Sequence, residues 1–128
     1  MSNTGIVIVT HGDAAISMVE AVERVVGSLG VQTVTVRVGE PRGETELRLS
    51  AAVALLHTDE VLFLVDLEGS TPFNLCCSKM NGVVLTGMNL PMLFKLATAN
   101  RQRSAAELAE ELRATGLKSI HVIPGGHS

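Results

Sequence analysis

The chain has 128 residues, with thirteen acidic and ten basic side chains, a net charge of −3 and 46% apolar residues; that length suits a single domain, 1–128, built on one ordinary core. The absence of a basic cluster, of Trp and of Tyr argues against nucleic-acid binding by phosphate tracking or base stacking. No apolar run approaches the roughly 20 residues of a membrane span, and the start lacks the basic-then-apolar order of a signal peptide, so a cytoplasmic location is expected.

Residues 5–10 are apolar and β-branched, which predicts a parallel strand covered on both faces. It runs straight into His11-Gly12. Residues 14–26 follow a helical period, with Ala15, Met18, Val19, Val22, Val25 and Val26 able to share a face, and Gly27 and Gly30 ending the helix. Residues 31–38 alternate and predict a second strand. A loop with Gly39, Pro41 and Gly43 leads to a helix over 44–57, carried by Leu47, Leu49, Val53, Leu55 and Leu56. His57 reads as a solvated cap at its end.

Residues 60–65 predict a third strand ending at Asp66. Gly69-Ser70-Thr71-Pro72 then opens a short helix over 72–80, with Pro72 in its first turn. The vicinal Cys76 and Cys77 are too close for relaxed disulfide geometry and read as small helix residues. Residues 82–86 form a short fourth strand. A helix led by Pro91 runs to about Ala99, with Asn89 as a turn or cap residue. Another spans 104–115, with Ser104 and Glu107 as a capping box and Gly116 as its stop. A final strand is expected over 118–123, containing His121, and then a frayed tail with His127.

This alternation predicts an α/β fold: a doubly wound, mainly parallel sheet in the order 2-1-3-4. Ligands of such sheets sit beyond the C-terminal strand ends where the winding reverses, here between strands one and three. His11 ends one of these strands and Asp66 ends the other. A neutral imidazole can attack through one ring nitrogen if a carboxylate holds the proton on the other. Backbone N–H groups around Gly69, Ser70 and Thr71, with the two hydroxyls, can receive an anion at a helix start. Together these are the parts of a phosphoryl acceptor. No Asp/Glu/His set has metal-ligand spacing, so neither a metal nor a cofactor is expected.

The chain resembles the IIA component of the mannose/fructose/sorbose family of the bacterial sugar phosphotransferase system. Three ordered motifs carry the resemblance over residues 5–123: Val7-Ile8-Val9-Thr10-His11-Gly12, Asp66-Leu67-Glu68-Gly69-Ser70-Thr71-Pro72-Phe73-Asn74, and Gly87-Met88-Asn89-Leu90-Pro91-Met92-Leu93. It implies a phosphotransferase in which His11 takes the phosphoryl group from the phosphocarrier HPr and gives it to a IIB component. The membrane components IIC and IID would then be served indirectly. It also implies that Asp66 holds the ring, that Thr71 lies by the phosphate, and that the last strand is exchanged in a homodimer. The low charged fraction of 18% fits a surface partly covered by a second subunit.

The chain departs from the family pattern at several places. Ser70 replaces a second glycine, Glu68 replaces an apolar or aromatic residue, and Arg24 stands where a methionine often lines the site. The stretch between Asn74 and Val83 is short. Arg24, Glu68 and Asn89 are therefore candidates to line the site. Other readings are a regulatory module of the same fold, a phosphoryl donor to dihydroxyacetone kinase and, least favoured for lack of a glycine-rich cradle, a nucleotide binder.

Overall fold

A computed structural model describes residues 3–126; His127, expected in the tail, lies outside them. Nine elements follow in order: β1 (Thr4–His11), α1 (Ala14–Val26), β2 (Gln32–Val36), α2 (Arg42–Leu56), β3 (Glu60–Val65), α3 (Thr71–Lys79), β4 (Val83–Thr86), α4 (Leu90–Leu96) and α5 (Ala105–Lys118). The four strands form one all-parallel sheet in the order β2-β1-β3-β4, as the alternation predicts.

Period-two alternation divides the core between two faces. Ile6, Ile8, Leu62, Leu64 and Leu85 face α1, α4 and α5. Val7, Val9, Val34, Val36, Val61, Phe63 and Val65 face α2 and α3. The central strands β1 and β3 are thus apolar on both sides, and each fully buried Val, Leu, Ile or Phe contributes about 1.5–3 kcal/mol of burial. Cys76 belongs to the α2–α3 layer. Burial, then the neighbouring Cys77, pushes its thiol up to about 12, so it is a packing group.

Three expectations need correction. The inner face of α2 is Thr45, Leu49 and Ala52, while Leu47 and Leu55 are exposed. Residues 45, 49 and 52 keep i, i+4, i+7 spacing on one face, and 47 and 55 lie off it. The C-terminal part of the face expected for α1 also misses the core, since Val25 and Val26 are exposed. Gly116 does not stop α5. It lies buried inside the helix, where an added Cβ would stand 2.5 Å from Cε of Met92 and 3.2 Å from Oδ1 of Asn89. A glycine required by close helix approach leaves the same mark in a sequence as one that ends a helix.

The last strand, expected over 118–123 as one exchanged with a second subunit, is not formed within the single chain. Lys118 closes α5, and residues 120–124 carry no regular structure in the single chain, with His121 exposed. Ile120, Val122 and Ile123 are exposed as well. A strand exists only where another strand takes its backbone hydrogen bonds, and no strand among the described residues reaches this segment.

At the start of β4, Gly82 is fixed by backbone. A Cβ there would lie 2.7 Å from the Val61 carbonyl oxygen and 2.9 Å from Cε2 of Phe63. Gly82→Ala is expected to cost about 1–3 kcal/mol by overpacking, read as a lower urea midpoint at unchanged slope.

Candidate functional site

The parallel register decides which strand ends meet. Val9 stands opposite Val65, and His11 stands opposite Val36. His11 is therefore flanked by the ends of both β2 and β3, strands about 4.8 Å away on each side. Asp66 is the first residue after β3. Its Oδ2 lies 2.9 Å from Nδ1 of His11 and also accepts the His11 backbone N–H at 3.1 Å. The other carboxylate oxygen, Oδ1, is buried and accepts no hydrogen bond from the described residues.

This contact sets the chemistry that the ring can perform. A carboxylate accepts only, so Nδ1 carries the proton and Nε2 keeps its lone pair. The His11 side chain is 47% exposed, and Nε2 has no hydrogen-bond partner among the described residues. Should that nitrogen be substituted, the ring becomes cationic and Asp66 lies within charge-assisted range of it.

The turns around the ring are pinned. Gly12 has φ 56 and donates its N–H to the Val36 carbonyl at 3.0 Å. Buried Thr10 accepts the Ala15 N–H at 2.7 Å, tying the first turn of α1 to the end of β1. Thr10 had no role in the sequence reading; a hydroxyl in an otherwise apolar strand, next to a helix start, is the signal that could have marked it.

The loop after Asp66 answers the question raised by Ser70. Ser70 N–H points at the Leu67 carbonyl at 3.4 Å, and Gly69 has φ 81 while Glu68 does not have positive φ. This is the type II pattern, with the left-handed residue third. Gly69 therefore meets the conformational demand, and Ser70, at φ −76, is unstrained. The Ser70 hydroxyl accepts the Phe73 N–H at 3.3 Å and donates to the Leu67 carbonyl at 2.6 Å. It is the N-cap of α3 and is occupied as such. Pro72 has no N–H. The donors left at this helix start, among the described residues, are the N–H groups of Gly69 and Thr71 and the Thr71 hydroxyl.

His11 and Thr71 line one depression of about 270 Å³ together with Val36, Arg37, Val38, Gly39 and Glu40. The β2–α2 turn thus forms one wall; the alternation predicts Arg37 and Val38 as the end of the second strand, but β2 stops at Val36 and both join the turn. The turn closes with a Glu40 N–H to Arg37 carbonyl bond at 3.1 Å and has Gly39 at φ 78. Glu40 anchors it to α2 through the Thr45 hydroxyl at 2.6 Å and through Arg48. The Thr45 hydrogen bond, opposed by burial and assisted by Arg48, holds the Glu40 carboxyl below its ordinary value. Stability from this anchor is therefore present above the ordinary carboxylate pKa and is lost as pH falls through the lowered one.

Arg24 and Asn89 do not join this cluster. Arg24 sits in the last turn of α1, about 15 Å along the helix axis from Ala14, because α1 runs away from the strand ends that carry His11. Asn89 caps α4, accepting the Met92 N–H at 3.3 Å, and donates to the Gly116 carbonyl at 3.3 Å. Its side chain ties α4 to α5. Glu68 stays near, exposed on the Asp66 loop, with Oε1 3.5 Å from the Thr86 hydroxyl.

Comparison with known proteins adds the lineage. The family model "PTS system fructose IIA component" matches residues 5–113. The chain belongs to the mannose/fructose/sorbose-type IIA family of the sugar phosphotransferase system. Among relatives of this IIA chain is the sorbose-specific EIIA component of Klebsiella pneumoniae, 30% identical across 81% of the chain and 80% of that protein. The mannose-specific EIIAB component of Escherichia coli is 32% identical across 93% of the chain. The chain spans 40% of the length of that relative. The fold matches the mannose/sorbose-specific IIA subunit of Enterococcus faecalis with a TM-score of 0.84, covering 98% of each chain at 23% identity. No helix among the described residues is long and apolar enough to cross a membrane.

The two hydroxyls of the loop separate in a stability test. Ser70→Ala is expected to lose about 1 kcal/mol through the α3 cap, while Thr71→Val stays within about 0.5 kcal/mol of the parent; urea denaturation of both variants checks this.

Proposed function

We propose that this IIA chain is a phosphocarrier in which His11 takes a phosphoryl group from phospho-HPr and passes it to a IIB component, feeding sugar uptake through membrane IIC and IID partners. The observation that carries this reading is the 2.9 Å contact of His11 Nδ1 with Asp66, which leaves Nε2 as the nucleophile. Family membership supports the class of reaction. The exchange would take place in the cytoplasm, where a half-exposed ring can meet a carrier protein.

The step balances without a proton from outside. Nε2 of His11 forms its bond to phosphorus as the bond from phosphorus to the donor ring nitrogen breaks. The donor ring keeps the bonding pair and becomes neutral, and the His11 ring takes up the positive charge with its Nδ1 proton in place. Asp66 stabilises that charge, and Thr71 and the Gly69 N–H offer donors to the phosphoryl oxygens. The catalysis is positioning and electrostatics. Transfer onward to IIB is the same step in reverse order of partners.

The working form in this reading is a homodimer exchanging its last strand. Exposed Ile120, Val122 and Ile123 beyond α5 and the outer edge of β4 support it: among the described residues the segment has no strand partner and that sheet edge no further strand. Sedimentation of the chain is expected to give a dimer, and truncation after Ser119 a monomer. A parent that sediments as a monomer at micromolar concentration would remove the exchange.

The phosphoryl reading is tested by incubation with labelled phosphoenolpyruvate, enzyme I and HPr. His11→Ala should take no label. Asp66→Asn should take label about a hundredfold more slowly, because the ring loses its tautomer control and its counter-charge. Label that survives His11→Ala removes this residue as acceptor. Stable label on the parent with no onward transfer to any IIB component points to signalling instead of transport.

A further inference from the structure

The depression holding His11 contains one cation among the described residues that line it, Arg37. Three observations single it out. First, register: Val36 pairs directly with His11, so Arg37 is the first residue beyond the imidazole on the neighbouring strand. Second, rigidity: Arg37 opens the tight turn closed by Glu40 N–H to its own carbonyl at 3.1 Å, and that turn is fastened to α2 by Thr45 and Arg48 through Glu40. A guanidinium leaving such a turn starts from a fixed backbone. Third, availability: its ion-pair partner, Asp13, lies 3.7 Å away, and the two side chains are 68% and 66% exposed. A pair so long and so exposed contributes little, so it yields readily to a stronger anion. The other acidic groups at this rim are differently placed, Asp66 on the imidazole, Glu40 on Arg48 and Thr45, and Glu68 beside Thr86.

We propose that Arg37 is a phosphoryl-binding residue: its guanidinium engages the oxygens of the group carried on Nε2 of His11, across the depression from the donors of Thr71. A planar guanidinium matches two phosphoryl oxygens at once, which a lysine ammonium cannot do. The site then has the parts a travelling dianion requires: a nucleophile, neutral donors on the β3–α3 side and a cation on the β2–α2 side. Sequence spacing conceals this, because Arg37 is 26 positions from His11 and 34 from Thr71, and only the parallel pairing of β1 with β2 brings it to the rim.

The proposal rests on His11 being the phosphoryl acceptor, and the test separates the two. The full chain, Arg37→Gln and Arg37→Lys are labelled with two donors: inorganic phosphoramidate, which has no protein surface, and phospho-HPr. Phosphorus NMR follows formation and hydrolysis of the phosphohistidine, and thermal melting confirms that each variant is folded. Arg37→Gln is expected to form phosphohistidine about tenfold more slowly with both donors and to lose the group faster on standing. Arg37→Lys is expected to recover part of the rate. Parental rates for Arg37→Gln with both donors overturn the role of Arg37. A defect with phospho-HPr alone overturns it as well, since Arg37 would then contact the carrier and not the phosphoryl group. Absence of label on residue 11 of the parent with either donor overturns the acceptor reading itself, and the role of Arg37 with it.

Discussion

A single carboxylate oxygen organises the candidate site. Oδ2 of Asp66 holds both the ring and the backbone N–H of His11. This makes the imidazole orientation a property of the sheet and not of a loop. The residues that meet come 55 positions apart, and their meeting depends on the β1–β3 register, in which Val9 faces Val65. A slip of one residue would send every side chain of β1 to the opposite helix layer, break the packing on both faces and turn His11 away from Asp66. The hydrophobic alternation that builds the core therefore also sets the distance between acid and base. Stability and chemistry share one constraint.

Around that contact the chain uses two similar devices. The β2–α2 and β3–α3 connections are both tight turns with a glycine in the left-handed position, Gly39 and Gly69. Each is then fastened to the helix that follows, by Glu40 to Thr45 and Arg48 in one case and by Ser70 to the Phe73 N–H in the other. Both walls of the depression are thereby fixed before a ligand arrives, so little ordering entropy remains to be lost on binding. The ring stays half exposed between them.

Much of this was legible in the residues themselves. The strands declared themselves by β-branched runs, and strand order followed from alternation and right-handed crossover rules. His11, Asp66, Gly69 and Thr71 could be placed at one rim because each adjoins a strand end or a helix start there. The failures have physical causes. Arg24 is a site candidate only through the family resemblance, and α1 carries it away from the rim. Asn89 is the cap that the sequence predicts, but its side chain is spent on α4 and α5 and does not line the depression. Gly116 was taken for a helix stop, although Met92 and Asn89 leave no room for a Cβ. Arg37 falls in the alternating run 31–38 and reads there as a strand residue, whereas β2 stops at Val36 and leaves it in the turn that lines the depression.

The sequence alone determined most local choices: where the helices lie, where the four strands of the sheet lie, and that one histidine and one aspartate end the two central strands. These depend on sterics and hydrophobic period, which act over a few residues. Only the tertiary structure decided which hydroxyl is a cap and which is free, which ring nitrogen contacts the carboxylate, and which cation shares a depression with the imidazole. Those outcomes depend on register between strands distant in the chain, and on competition among donors and acceptors for partners. Neither is a property of any short stretch of residues.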